Sequence, residues 1–243
     1  MNESQLVSVK SRIDKLVQRD KNVKSRKSQA RCLCLAPESS LRKDLWLQIL
    51  TTTKLLPPTP ISTDLRELPS SFNGYELADR KLVPTYKLSE NGIINLRQSL
   101  YQISIDRPEL TYFPELWPMT AVLLHYLPTN AAVASVNSLM KYQYFLAQTK
   151  FEWLQRCLSI RFLIAESKFK DLCRMYSPEC VKTAFLLWII AVWNLPFTHL
   201  VCVIDCFLVE GWKVFYRAGL VVSLLLLTPS TCRLDHLSCA QHE

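Results

Sequence analysis

Glycine is nearly absent from this chain, with four in 243 residues against a usual share of about 7%. A backbone that crowds a phosphate, in a G-x-G-x-x-G turn or a G-x-x-x-x-G-K-[ST] loop, needs glycine at fixed offsets. Gly74, Gly92, Gly211 and Gly219 supply neither pattern. Dinucleotide-binding enzymes and P-loop nucleotidases are therefore poor candidates. Sparse glycine beside long apolar runs of helical period points to helices. No convincing period-2 strand and no fixed-length repeat interrupts that pattern, so the expectation is an all-α chain with one domain behind a basic lead-in.

The apolar spacing places the elements. Leu6, Val9, Ile13 and Leu16 suit a short amphipathic helix. Ser39 or Ser40 can cap a second helix whose apolar face is Leu41, Leu45, Trp46 and Ile49. Leu55–Gly74 carries Pro57, Pro58, Pro60 and Pro69 and reads as a surface loop. Asn91-Gly92 marks a turn, followed by a helix over Ile93–Ile103 with Ile93, Leu96, Leu100 and Ile103 inward. Met119–Tyr126 is apolar almost all round and so central. Ala131–Leu146, Glu152–Ala165, Phe169–Met175 and Thr183–Trp193 read as further helices. Asn194-Leu195-Pro196 breaks the pattern before helices over Phe197–Glu210 and Trp212–Leu227.

Charge is uneven. Residues 1–43 hold 11 basic and 4 acidic side chains, a net of +7 out of the chain's +8. Such a front seeks an anion: lipid headgroups, nucleic acid or an acidic protein face. Aromatic residues are not interleaved with Lys21–Arg31, so no base-stacking platform is offered and nucleic acid is disfavoured. Nine cysteines, several in apolar helical stretches, and no visible signal peptide suit reduced, buried thiols in a cytoplasmic protein. The apolar run Ala184–Val209 is long enough to raise an integral membrane hairpin as an alternative, but it contains Asn194, Pro196, His199 and Asp205. An Asp at the centre of a span costs about 2.5–3.5 kcal/mol, so a buried hairpin fits better.

Three stretches carry a family likeness. They are Pro37–Leu50 (PESSLRKDLWLQIL), Arg107–Tyr126 (RPELTYFPELWPMTAVLLHY) and Leu195–Leu227 (LPFTHLVCVIDCFLVEGWKVFYRAGLVVSLLLL). The first resembles the opening P-x-x-L-R-x-x-x-W-x-x-L pattern of TBC (Rab GTPase-activating protein) domains, with Arg42 and Trp46 in place. The third resembles a late TBC segment, with Asp205, then Phe207-Leu208, then Glu210-Gly211 and Lys213 to Arg217. The wording of the second and third is similar to the Skywalker-like branch, in which a TBC domain precedes a TLDc domain. Val83-Pro84-Thr85-Tyr86 and Phe162-Leu163 with Glu166-Ser167 match that branch too. The resemblance implies a single all-α TBC domain, C-terminally truncated. It divides the chain into a basic lead-in over residues 1–20, a TBC-like domain over 21–227 of open completeness, and a divergent tail over 228–243.

The resemblance also implies a chemistry. Active TBC domains use an arginine from I-x-x-D-x-x-R and a glutamine from Y-x-Q. Here the Y-x-Q place reads Tyr112-Phe113-Pro114, and Pro114 has no amide to orient water. Arg107 directly follows Asp106 instead of lying three residues beyond it. Weak or absent dual-finger catalysis is expected; an active Rab GTPase activator is the alternative. The Skywalker-like branch implies a cationic phosphoinositide pocket, matched here by the i, i+4 pairs Lys27/Arg31 and Lys213/Arg217. Arg42, Trp46, Asp205 and Gly211 are expected to be structural motif residues, with Asp205 bonded to backbone or Arg217, and Arg217 paired with Glu210 or Asp205. His125 is expected at the core or its edge. Cys232, His236, Cys239 and His242 lack a usual zinc spacing, so no metal and no cofactor are expected. The implied partners are a Rab- or Arf-type small GTPase and an anionic phosphoinositide membrane, with the protein peripheral on vesicle or plasma membrane.

Overall fold

The computed structural model describes residues 41–53, 55–56, 67–72, 74, 86, 88–140, 149, 151–152 and 188–227. Their regular elements are seven α-helices: α1 (Leu41–Thr52), α2 (Glu90–Asp106), α3 (Leu116–Leu124), α4 (Thr129–Leu139), α5 (Trp188–Trp193), α6 (Phe197–Glu210) and α7 (Lys213–Leu227). The all-α expectation is met over this region. The lead-in helix, the two helices expected over residues 152–175 apart from Glu152, and the 228–243 tail lie outside the described residues.

Helices α2, α3 and α4 pack on one another, α5 and α6 both pack on α7, and α6 also packs on α1. The central position of α3 follows from its sequence: every residue from Leu116 to Leu123 is buried. Pro118 falls in its first turn, where a missing N–H breaks no intrahelical bond. The α2 start differs from the expectation. Ser89, not a turn at Asn91-Gly92, begins the helix, and its hydroxyl accepts the Gly92 N–H at 3.1 Å. An N-cap oxygen that satisfies an orphan amide outweighs the local turn preference of Asn-Gly. Ile93, expected inward, is 39% exposed, while Leu96, Leu100 and Ile103 are buried as expected. The helix starts at Glu90, three residues before the expected start, which places Ile93 at its fourth position.

Asn194-Leu195-Pro196 does break the apolar run: α5 ends at Trp193 and α6 begins at Phe197, with Pro196 as N-cap. No helix among the described residues is long and apolar enough to cross a membrane. The hairpin instead buries one face. Trp193 lies 4.7 Å from Phe215, and Phe207 lies 4.9 Å from Phe215 and 5.1 Å from Trp212, between ring centroids. Such edge-on and tilted pairs contribute about 0.5–1.5 kcal/mol each beyond their buried area.

Tyr86 pins the hairpin from outside. Its hydroxyl donates to the Trp193 carbonyl at 2.8 Å, and its backbone sits at φ 47°, uncommon for a side-chain-bearing residue. Burial raises the Tyr86 phenol well above its ordinary value. Its backbone also hydrogen-bonds His125, whose ring lies 4.8 Å from Phe197. His125 is thus an edge histidine at the end of α3, partly covered by Tyr86 and Phe197. Partial burial lowers its value from 6.5, with the Tyr86 bond opposing. The unfolded chain then binds a proton that the folded chain resists. Stability is full above the ordinary value of 6.5 and falls as pH drops through it toward the lowered folded value. Urea titrations between pH 7.5 and 5 should show this loss, and His125→Gln should flatten it.

Candidate functional site

Arg42 and Trp46 lie one turn apart on α1, so both side chains leave the same face. They meet Asp205 on α6. Arg42 donates from Nε to Asp205 Oδ1 at 3.2 Å and from Nη2 to Oδ2 at 3.1 Å. Trp46 Nε1 donates to Oδ1 at 2.6 Å. The whole cluster is dry: Arg42 and Trp46 are 0% and Asp205 2% exposed. Tyr126 closes it, with its ring 5.4 Å below the Arg42 guanidinium and 4.7 Å from the Trp46 ring. Burial by itself would lower the Arg42 value, but Asp205 and Tyr126 outweigh it and the net direction is up. Burial raises the Asp205 carboxyl, with Arg42 and Trp46 acting against it. The charges satisfy each other inside the core, so this is a structural bolt between α1 and α6 and not a reactive site. The partner of Asp205 is therefore Arg42, in place of the expected backbone or Arg217. The i, i+4 relation of Arg42 to Trp46 was visible in the sequence; the 163-residue reach to Asp205 was not.

Gly211 ends α6 at φ 77° and ψ −166°, with its N–H donating to the Phe207 carbonyl at 2.7 Å. That backbone region is essentially restricted to glycine. The bend turns the chain into α7, where Lys213 and Arg217 both emerge exposed on one face. Arg217 Nη1 donates to Glu210 Oε2 at 3.3 Å, the first of its two expected partners. Lys27 and Arg31 lie outside the described residues.

The finger positions are occupied differently. Pro114 is buried where α3 is entered. Arg107 caps α2 and is 19% exposed, with Nη1 at 3.3 Å from Glu109 Oε1 and Nη2 donating to the Asn137 carbonyl at 2.8 Å. Asp106 accepts from Gln102 and Asn137, each at 2.8 Å. Arg107 thus ties the end of α2 to α4, and its fork is engaged in that tie. Among the described residues no group of His, Cys, Asp and Glu is arranged to hold a metal ion.

Residues 39–228 match the family described as the Rab-GTPase-TBC domain. The GTPase-activating protein skywalker of Drosophila melanogaster is 31% identical over 169 residues, covering 66% of this chain and 28% of that protein. TBC1 domain family member 24 of Xenopus tropicalis is 26% identical over 211 residues, covering 77% of this chain and 36% of that protein. This chain therefore spans about a third of the length of these relatives. The crystal structure of the Drosophila melanogaster Skywalker/TBC1D24 TBC domain, in complex with inositol(1,4,5)triphosphate, has the same fold. It superposes with a TM-score of 0.67 at 24% identity, covering 94% of this chain and 87% of that one.

Proposed function

The chain belongs to the Rab-GTPase-TBC domain family, and from that membership we propose a regulator of Rab- or Arf-type small GTPases. It works in vesicle traffic and docks on phosphoinositide membranes, with weak or absent dual-finger catalysis. The observation that carries the docking is the exposed Lys213–Arg217 pair on one face of α7. Arg grips phosphate oxygens with a planar fork, and Lys acts beside it as a mobile point charge. The inositol(1,4,5)triphosphate bound by the solved neighbour supports the same ligand chemistry here. The second cationic pair, Lys27 and Arg31, joins the site in this reading. A buried Pro114 and a tied Arg107 support the catalytic part.

Vesicle sedimentation tests the docking. The full chain should pellet with vesicles containing phosphatidylinositol bisphosphate. Lys213→Ala with Arg217→Ala should weaken this roughly tenfold or more, since each basic residue near an anionic surface contributes about 1 kcal/mol. Equal pelleting by both proteins would overturn the reading. Single-turnover GTP hydrolysis tests the catalytic part. Acceleration should fall far short of the about 10³–10⁵ that an arginine finger supplies. A large acceleration abolished by Arg107→Ala would restore the active-enzyme alternative.

A further inference from the structure

Arg217 faces an anion built into the fold, Glu210. Its own side chain is 60% exposed, whereas the Glu210 side chain that it touches is 1% exposed. Glu210 is the last residue of α6, where the helix dipole presents its negative end. The last turn of α6 has no basic residue of its own to offset that charge. One positive charge reaches it from α7, across the Gly211 bend, through the 3.3 Å contact from Arg217. A carboxylate at a helix C-terminus attracts a neighbouring cation, and repels any second anion that approaches the same cation.

We propose that Glu210 is an affinity-setting counter-ion: it competes with a bound phosphate group for Arg217 and holds the site's affinity for phosphorylated headgroups below what the cations alone would give. This inference rests on the phosphoinositide reading above. The shared ligand chemistry is a phosphate monoester, presented either by a soluble inositol phosphate or by a lipid headgroup. An incoming phosphate must share or displace the carboxylate, and its own negative charge is repelled at short range. Glu210→Gln removes the charge while keeping the side-chain shape and an acceptor oxygen.

Titration calorimetry with soluble inositol(1,4,5)triphosphate on the full chain tests this. Glu210→Gln should raise affinity roughly two- to fivefold, the range corresponding to an exposed ion pair. In an Arg217→Ala background the same substitution should change affinity much less, because the competition is for Arg217. Glu210→Ala provides a second version, and thermal melts confirm that each variant is folded. If Glu210→Gln weakens binding, the carboxylate orients Arg217 and the inference is overturned. An equal gain with and without Arg217 assigns the effect to general charge and also overturns it. A gain seen with phosphatidylinositol bisphosphate vesicles but not with the soluble ligand overturns it in the same way. The phosphoinositide reading fails separately, through no binding by the unaltered chain or no loss on Arg217→Ala.

Discussion

Replacing Arg42 by methionine should lower the unfolding free energy by about 3–5 kcal/mol, the usual cost of leaving a buried charge without its partner. Asp205 would keep only the Trp46 indole from its three side-chain donor contacts, in a site that water does not reach. Asp205→Leu should cost a similar amount for the opposite reason, because it strands a guanidinium that is 0% exposed. The informative result is the double variant. Replacing a whole buried pair by apolar residues is often neutral or stabilising, so Arg42→Met with Asp205→Leu should be more stable than either single variant. Trp46→Phe should cost less, about 1.5–3 kcal/mol, because it removes one hydrogen bond to a charged group and keeps most of the ring. Urea denaturation of the four variants beside the unaltered chain checks all of this. Additive losses in the double variant would show that the two residues act independently, against the geometry.

Gly211→Ala should cost about 1–3 kcal/mol although there is room for the methyl group. An added Cβ would meet nothing within 4 Å, so the whole penalty is backbone strain at φ 77° and ψ −166°. This separates the site from Gly74, where a Cβ would meet Trp117 at 2.8 Å and Leu100 at 3.0 Å, so close packing adds to strain. Asn commonly relieves a left-handed bend, but only near positive ψ. Gly211→Asn should therefore be no better tolerated than Gly211→Ala. Denaturation midpoints measure the stability loss. Because the bend sets α7 against α6, these variants should also weaken the proposed inositol phosphate binding, and equal affinity in folded Gly211→Ala would detach the bend from the proposed site.

Much of the architecture was legible residue by residue. The period of Phe197–Glu210 placed α6 at its observed limits, and the nearly all-round apolar character of Met119–Tyr126 marked α3 as central, although that helix runs over Leu116–Leu124. These are local facts, because helix period and burial are written into neighbouring residues. Local signals are ambiguous where two of them compete. At the start of α2 the Asn91-Gly92 turn preference lost to the Ser89 cap, which lengthened the helix, and Ile93, expected inward, is exposed. The motif positions Arg42, Trp46, Asp205 and Gly211 were also recognisable, but what three of them bond to was not.

The sequence by itself determined the helical class, the break at Asn194–Pro196, and the one-face placement of Lys213 with Arg217, since each follows from spacing along the chain. Only the tertiary structure decided who neutralises whom. Asp205 could face Arg217 twelve residues on or Arg42 163 residues back, and packing of α1 on α6 chose Arg42. That choice leaves Arg217 to Glu210 and to whatever anion the surface meets. The physical reason is that charge pairing is set by distance in space and by exclusion of water, and neither quantity exists until the helices have packed.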